Sequence, residues 1–350
     1  MARERDTVVI TGSSGLIGSA LATRLHRAYA VVGFDRAGGA DPPPEIEAID
    51  FDVTSDDSVR NGLRQVRKRH GDRIASVVHL AAYYDFSGEP SDKYEEVTVR
   101  GTERLLRELR DFRVEQFVFS STMLVHSPTQ PGRPITEDSP IDPAWDYPES
   151  KVRTEELIRR ERGAIPVVLM RIAGVYSDRG DSIPLAHQIQ RIYEKQLTSH
   201  VYPAETRRGQ AFVHLDDLVD AFVRTIERRA QLPPETVLLI GEPETVAYEE
   251  LQQTLGQLIH GEVWDTYRVP AAVAKAGAWV QDHLPFGPEP FIKPWMIDRA
   301  ADHYELNISR ARQLLGWEPK NSLRGTLPKM TAALKRDPAA WYKANELESR

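Results

Sequence analysis

The sequence predicts an α/β fold, a doubly wound parallel sheet, on three observations. Short apolar, β-branched runs alternate with stretches of helical periodicity through the first half of the chain. Those runs read as buried strands, with helices available to cover both faces of a sheet. A glycine-rich turn joins the first run to the first helical stretch.

The elements follow in order. TVVI at 7–10 is the first strand, and Leu16, Ile17, Ala20, Leu21, Leu25 and Ala28 mark a helix over 16–28. AVVGFD at 30–35 is the second strand, followed by the loop RAGGADPPP. EAIDFDV is the third, and DDSVRNGLRQVRKR is a helix with Val59, Leu63 and Val66 on one face. IASVVHLAA, EQFVFSS and IPVVLMRIAG are further strands, separated by helices over 94–109 and 150–160. Beyond Gly174 loops lengthen and Pro and aromatic residues gather, while AFVHLDDLVDAFVRTI and TVLLIG look like returns to the sheet. The expected organisation is a dinucleotide-binding domain at 1–173 with returns at about 209–242, a substrate-binding region at 174–208 and 243–330, and a tail at 331–350, helical or a linker remnant.

Composition narrows the function. The net charge of −7 over 350 residues gives no electrostatic reason to expect nucleic acid. With no cysteine, disulfides, thiol catalysis and thiolate metal sites are excluded, and no histidine pair has ligand spacing, so no metal is expected. No secretory hydrophobic region or membrane-spanning run is visible, and a cytoplasmic protein is the expectation.

TGSSGLIG places Gly12, Gly15 and Gly18 between the first strand and the first helix. Glycines there permit a tight turn, a close backbone approach to pyrophosphate, and helix–strand packing, and the helix N-terminus offers free N–H groups. Asp35 ends the second strand, where a carboxylate accepts from both ribose hydroxyls of NAD and repels the extra phosphate of NADP. Arg36 beside it is the complication, since a guanidinium pairs well with phosphate. NAD is expected, with NADP the lesser alternative.

YPESK sets Tyr147 and Lys151 four residues apart, with Pro148 suited to a helix's first turn. Four-residue spacing puts both side chains on one helix face. Alone, such a common string reads more readily as a surface Tyr and Lys at the start of an amphipathic helix.

In their order along the chain these motifs resemble the extended short-chain dehydrogenase/reductase family, also called the NAD-dependent epimerase/dehydratase superfamily, over most of residues 6–330. TGSSGLIG is similar to its cofactor loop, Asp52 and Val53 to the pair that holds adenine, and HLAA to a cofactor-lining segment. VRGTERLL resembles the N-V-x-G-T helix, FVFSSTMLV the strand bearing the catalytic Ser or Thr, and AFVHLDDLVDA and ARQLLGWEPK later landmarks. The resemblance implies a Rossmann fold and a catalytic set of Thr122, Tyr147 and Lys151. Tyr147 would be the general acid/base, Thr122 would orient the substrate oxygen, and Lys151 would hold the nicotinamide ribose and lower the phenol's pKa. Cofactor contacts are implied for Gly12, Ser14, Gly15, Leu16, Ile17, Gly18, Asp35, Arg36, Asp52, Val53, Leu80, Ala81, Ala82, Thr98, Ser120, Tyr147, Lys151 and Ile172.

Departures from the family pattern bear on the substrate. Thr98 stands where the family has Asn, which puts an Asn-based proton relay in doubt. Met123 and Leu124 replace the Asp-Glu of sugar-nucleotide 4,6-dehydratases. Gly174 and Gln210 replace an Asn and an Arg usual in nucleotide-sugar epimerases, although Arg207 and Arg208 lie nearby. MRIAGVY, YYDFSG and VPAAVAKAGAWVQDHLPFG look like the β-hydroxysteroid dehydrogenase and dihydroflavonol reductase branch. Tyr84, Met123, Gly174 and Gln210 are the candidate substrate residues, and Tyr83, Phe86, Trp264, Phe286, Phe291 and Trp295 are aromatic residues that line either a pocket or the core.

The expectation is therefore an NAD(P)-dependent oxidoreductase acting on a secondary alcohol or ketone of small-molecule size. A nucleotide-sugar epimerase with tightly bound NAD, and a non-catalytic NAD-sensing protein, are the alternatives. A homodimer is expected through the helices at 94–109 and from about Tyr147, as in the resembling family. In the first, Val97, Gly101, Leu105 and Leu109 form the stripe for the sheet. Thr98, Val99 and Thr102 are then the less polar residues left for a partner, rimmed by Arg100, Glu103, Arg104 and Arg107.

Overall fold

Strand β1 (Thr7–Thr11) is five consecutive buried residues, which only a strand covered on both faces allows. Its side chains alternate between two cores: Val8 and Ile10 pack with Leu21, Leu25, Phe222 and Trp317, and Val9 packs with Phe34, Leu63, Leu105 and Leu109. The computed structural model describes residues 5–38, 42–85, 89–282 and 292–348. The chain continues through α1 (Leu16–Leu25), β2 (Ala30–Asp35), β3 (Glu47–Asp50), α2 (Asp56–His70), β4 (Ser76–His79), α3 (Arg100–Leu109), β5 (Phe117–Thr122) and α4 (Asp146–Glu161). It completes the layers with β6 (Val167–Ile172), α5 (Ile183–Tyr193), α6 (Leu215–Glu227), β7 (Glu235–Ile240) and α7 (Tyr248–His260).

These strands form one parallel sheet in the order β7-β6-β5-β4-β1-β2-β3. The direction of winding reverses between β1 and β4, and in open α/β sheets the crevice at such a reversal is where ligands bind. Local chemistry agrees with the elements. Ser55 caps α2 by accepting from the Ser58 N–H at 3.3 Å, and Gly71 ends that helix at a φ of 81°.

Three features differ from the reading of the sequence. The segment 94–109 is not one α-helix: Tyr94–Val99 is a π-helical turn leading into α3. The wider turn brings Tyr94 and Thr98 inward, so Thr98, with Thr102, is fully buried and is not the partner-facing residue expected, while Val99 is mostly buried but still lines the groove outside α3. Phe212–His214 does not return to the main sheet. It pairs with Gly174–Tyr176 in a separate parallel ribbon, leaving β7 as the only one of the two returns to rejoin. The expected boundary at 330/331 falls inside a helix.

That helix is α11 (Leu323–Arg336), which follows α8 (Ala271–Asp282), α9 (Pro294–Arg299) and α10 (Ser309–Leu315) and precedes α12 (Pro338–Ala344). Trp341 and Tyr342 pack with Tyr176, Leu185, Leu255, Leu323 and Leu327 in a third core, so the last helices are part of the globule. Among the described residues no helix is long and apolar enough to cross a membrane.

Candidate active site

The turn between β1 and α1 lies at the crevice, and its glycines have separate duties. Gly12 has a φ of +71°, and a Cβ there would sit 3.1 Å from the Ala81 nitrogen. A Cβ on Gly18 would meet the Gly12 carbonyl oxygen at 2.1 Å, so α1 packs directly on the turn. Gly15 is the N-cap of α1, and its hypothetical Cβ has no neighbour closer than 3.5 Å. No side chain caps α1, which leaves its first N–H groups, around Leu16 and Ile17, available to an anion.

Asp35, ending β2, accepts from the Ser14 N–H at 2.8 Å and from the Arg36 N–H at 2.9 Å. Both contacts come from backbone, so each oxygen keeps a lone pair for a sugar hydroxyl. Asp52 is held by the N–H (2.9 Å) and hydroxyl (2.7 Å) of Thr54. Burial would raise its pKa, but those bonds and the Arg36 and Arg104 guanidinium charges outweigh it and hold the carboxyl below its ordinary value. Val53 packs into the notch of Gly101, where a Cβ would lie 2.8 Å from its methyl. A glycine turn, open helix N-terminus and strand-end carboxylate together fit a dinucleotide such as NAD.

His79, at the end of β4, ties this cradle to the next helix, a role that reading the HLAA segment as cofactor lining missed. Thr11 Oγ1 accepts from the N–H groups of Leu80 (3.2 Å) and Ala81 (3.1 Å), so its own proton points to His79 Nδ1 at 2.7 Å. The imidazole proton therefore sits on Nε2 and goes to Thr102 Oγ1 at 2.9 Å, whose hydroxyl donates to the Thr98 carbonyl at 2.6 Å. Burial, then the nearby Lys151, lowers the His79 pKa to about 3, keeping this chain neutral. Thr98 is fully buried, and its hydroxyl accepts from the Tyr83 N–H at 3.0 Å. It braces the loop carrying Ala82 rather than presenting an open hydroxyl.

Thr122, Tyr147 and Lys151 converge at the C-terminal end of β5. Lys151 Nζ donates to the Ser120 carbonyl at 2.8 Å and lies 4.8 Å from the Phe119 ring centre and 5.7 Å from that of Tyr147. Burial lowers its pKa to about 7, and Glu155 opposes that fall. Burial pushes the Tyr147 phenol above its ordinary value, partly offset by the Thr122 hydroxyl that it faces. Thr122 Oγ1 accepts from the Leu124 N–H at 3.3 Å, which frees its proton for an incoming oxygen. Ser120 turns its own hydroxyl to the His79 carbonyl at 3.2 Å, and Ile172 lies beside Thr122 in the sheet register.

The substrate candidates separate. Tyr84 is 48% exposed and meets the Tyr147 ring edge-on, with centroids 4.7 Å apart. Met123, which opens the short helical turn Met123–Val125 after Thr122, is 3% exposed and packs with the core beneath β5. At Gly174 a Cβ would lie 3.0 Å from the Phe212 ring, so a side chain there would need the ring to shift slightly. Gln210 sits half-buried in the loop before the Phe212 ribbon, and Arg208 there is engaged with the Ala301 carbonyl at 2.6 Å.

Trp264 is core, stacked on His200 at 4.4 Å, while Phe86, Phe286 and Phe291 lie outside the described residues. Trp295 instead meets Trp145 at 5.1 Å, and Trp145 meets Tyr147 at 5.4 Å. With Tyr94, these tryptophans line a cavity of 140 Å³ together with Glu89, Asp146, Asp298 and Arg299. Trp145 was missed in the sequence, although WDYP sets it two residues before Tyr147.

Residues 8–241 match the family described as NAD dependent epimerase/dehydratase. The chain is 27% identical over 341 residues to "3 beta-hydroxysteroid dehydrogenase/Delta 5-->4-isomerase" of Mycobacterium tuberculosis, covering 90% of this chain and 87% of that one. It is 25% identical over 328 residues to the UDP-glucose 4-epimerase of Vibrio cholerae, covering 91% and 92% of the two chains. Among solved structures, the Bacillus cereus UDP-glucuronic acid 4-epimerase in complex with UDP-glucuronic acid and NAD superposes with a TM-score of 0.70 at 21% identity. That match covers 94% of this chain and 99% of the other, a likeness of fold.

Proposed function

Because the chain belongs to the NAD-dependent epimerase/dehydratase family, and is an NAD-dependent enzyme of the extended short-chain dehydrogenase/reductase type, we propose that it oxidises a secondary alcohol or reduces the matching ketone, with net turnover of cofactor. The observation that carries this reading is the convergence of a phenol, a hydroxyl and an ammonium at the end of β5. When bound, NAD supplies the acceptor, or as NADH the donor, of the hydride. Thr122 holds the substrate oxygen through its hydroxyl, and Tyr147 Oη takes the proton from the alcohol or returns it to the ketone. Lys151, fixed by the Ser120 carbonyl, favours phenolate whenever it is charged.

Net oxidation is favoured over epimerisation by Gly174 and Gln210. Gly174 offers no side chain to a sugar, and Gln210 brings no cation for a diphosphate. Trp145, Trp295 and Tyr84 around Tyr147 suit an alcohol carried on an apolar ring system, the kind of substrate named for the mycobacterial relative. Incubation with NAD and a panel of hydroxysteroids, other cyclic alcohols and UDP-hexoses tests this by NADH absorbance. Growth of that absorbance with an apolar alcohol is the expected result. UDP-hexose interconversion without net NADH would overturn it.

Asp35 supports NAD over NADP, since its carboxylate faces the glycine turn while Arg36 lends part of its field to Asp52. Asp35→Ala is expected to weaken NAD about tenfold, some 1.4 kcal/mol, and to shift the affinity ratio toward NADP in titrations of both cofactors. A wild-type protein that already prefers NADP would make Arg36 the dominant residue.

We also propose a homodimer through α3 and α4. With Thr98 and Thr102 inside, the outward face is an open groove of 480 Å³ lined by Val99, Arg100, Glu103, Arg107, Arg153 and Arg160 among others. Mixed signs on one face are self-complementary across a two-fold axis. Sedimentation at micromolar concentration is expected to show twice the 39.6 kDa of the chain, loosening with added salt. A single species at the monomer mass sinks the dimer.

A further inference from the structure

One helical turn beyond Lys151, α4 carries Glu155, and the carboxylate is buried. It is held from three elements. Arg171 of β6 donates twice, Nε to Oε1 at 3.0 Å and Nη2 to Oε2 at 2.7 Å. Ser121 of β5 donates its hydroxyl to Oε1 at 2.6 Å, and Arg159 of α4 stands 3.4 Å from Oε2. The other arm of Arg171 donates to the Glu137 carbonyl and to His126 Nε2, each at 3.0 Å. His126 must accept there, so its proton sits on Nδ1, toward the carbonyls of Ser139 (3.1 Å) and Pro140 (3.2 Å).

Such a pair is a poor device for stability, because apolar side chains of similar volume usually serve as well or better. Its position is informative instead. Ser121 lies between Ser120, whose carbonyl holds Lys151, and Thr122, whose hydroxyl faces Tyr147. On the other sides Lys151 meets Phe119, the Tyr147 ring and the neutral His79.

We propose that the Glu155–Arg171 pair is the positioning device of the proton-transfer site: it locks the end of β5 to α4 through Ser121 and stations a fixed carboxylate one turn beyond Lys151. This rests on the reading of Tyr147 and Lys151 given above. The carboxylate favours the charged form of Lys151, and the charged form in turn favours phenolate at Tyr147. Removing the carboxylate leaves Lys151 more readily neutral, so Tyr147 ionises at higher pH.

The test is a titration of Tyr147 by phenolate ultraviolet absorbance in the NAD complex, taken as the difference from the Tyr147→Phe variant. Glu155→Gln is expected to raise the midpoint by about one pH unit and to lower turnover at neutral pH about tenfold. Because that change strands Arg171, the double variant Glu155→Met/Arg171→Leu provides the decisive comparison. It is expected to melt at or above the wild-type temperature, bind NAD within about twofold of wild type, and still show the raised midpoint. A stable double variant with the wild-type titration overturns the proposal, and so does a double variant that fails to fold, since the pair would then serve stability. The titration needs no substrate, so failure of the oxidoreductase reading appears separately, as equal turnover in wild type and Tyr147→Phe.

Discussion

Replacing Tyr147 by phenylalanine is expected to lower turnover by about 10²–10⁴, the usual cost of losing a general acid/base, with NAD affinity nearly unchanged. The removed atom is one oxygen, and the ring keeps its contacts with Tyr84 and Trp145. Packing around the site therefore survives while the proton carrier is lost. Stopped-flow or steady-state NADH absorbance gives the rate, and calorimetric titration of NAD gives the affinity. Turnover within a few-fold of wild type would remove Tyr147 from the role. A large fall in cofactor affinity instead would place the phenol oxygen against the cofactor, not the substrate.

The second large effect divides two glycines of one turn. Gly18→Ala forces a methyl to within 2.1 Å of the Gly12 carbonyl oxygen and 2.9 Å of its carbon, both backbone atoms with no freedom to swing aside. Helix α1 must move off the turn, and overpacking of this kind costs about 1–3 kcal/mol. A lower melting temperature and at least about tenfold weaker NAD binding are expected together. Gly15→Ala adds a methyl whose nearest neighbour is 3.5 Å away, so the protein without cofactor is expected to melt as wild type does. That methyl occupies the approach to the helix N-terminus, so NAD binding falls in this variant alone of the two without loss of stability. Equal melting losses in both variants, measured by calorimetry, would contradict the division of duties.

The strands were legible because burial on both faces leaves a plain sequence mark: uninterrupted apolar runs such as those of β1, β5 and β6. The cofactor turn was legible for a similar reason, since glycine spacing reports backbone requirements directly. Tyr147 and Lys151 needed only the helical repeat to be placed together. What stayed hidden depends on contacts between distant segments. Nothing in the string AFVH says that its partner is Gly174–Tyr176 rather than the sheet edge. The π-helical turn at Tyr94–Val99 changes which of its residues face inward, and helical periodicity counted at 3.6 residues misassigned Thr98. Glu155 and Arg171, sixteen residues apart, carry no local sign that they meet.

The strand order also has a consequence for synthesis of the chain. Val8, Val9 and Ile10 in β1 pair on one side with β2, beginning at Ala30, and on the other with β4, beginning at Ser76. A nascent chain therefore carries an apolar strand whose second edge waits for the ribosome to deliver some seventy more residues. Unpaired apolar edges are aggregation hazards, and contacts so distant in sequence form slowly. Folding of this protein in the cell is thus expected to depend on chaperone occupancy during that interval, and refolding yield from denaturant to fall as protein concentration rises.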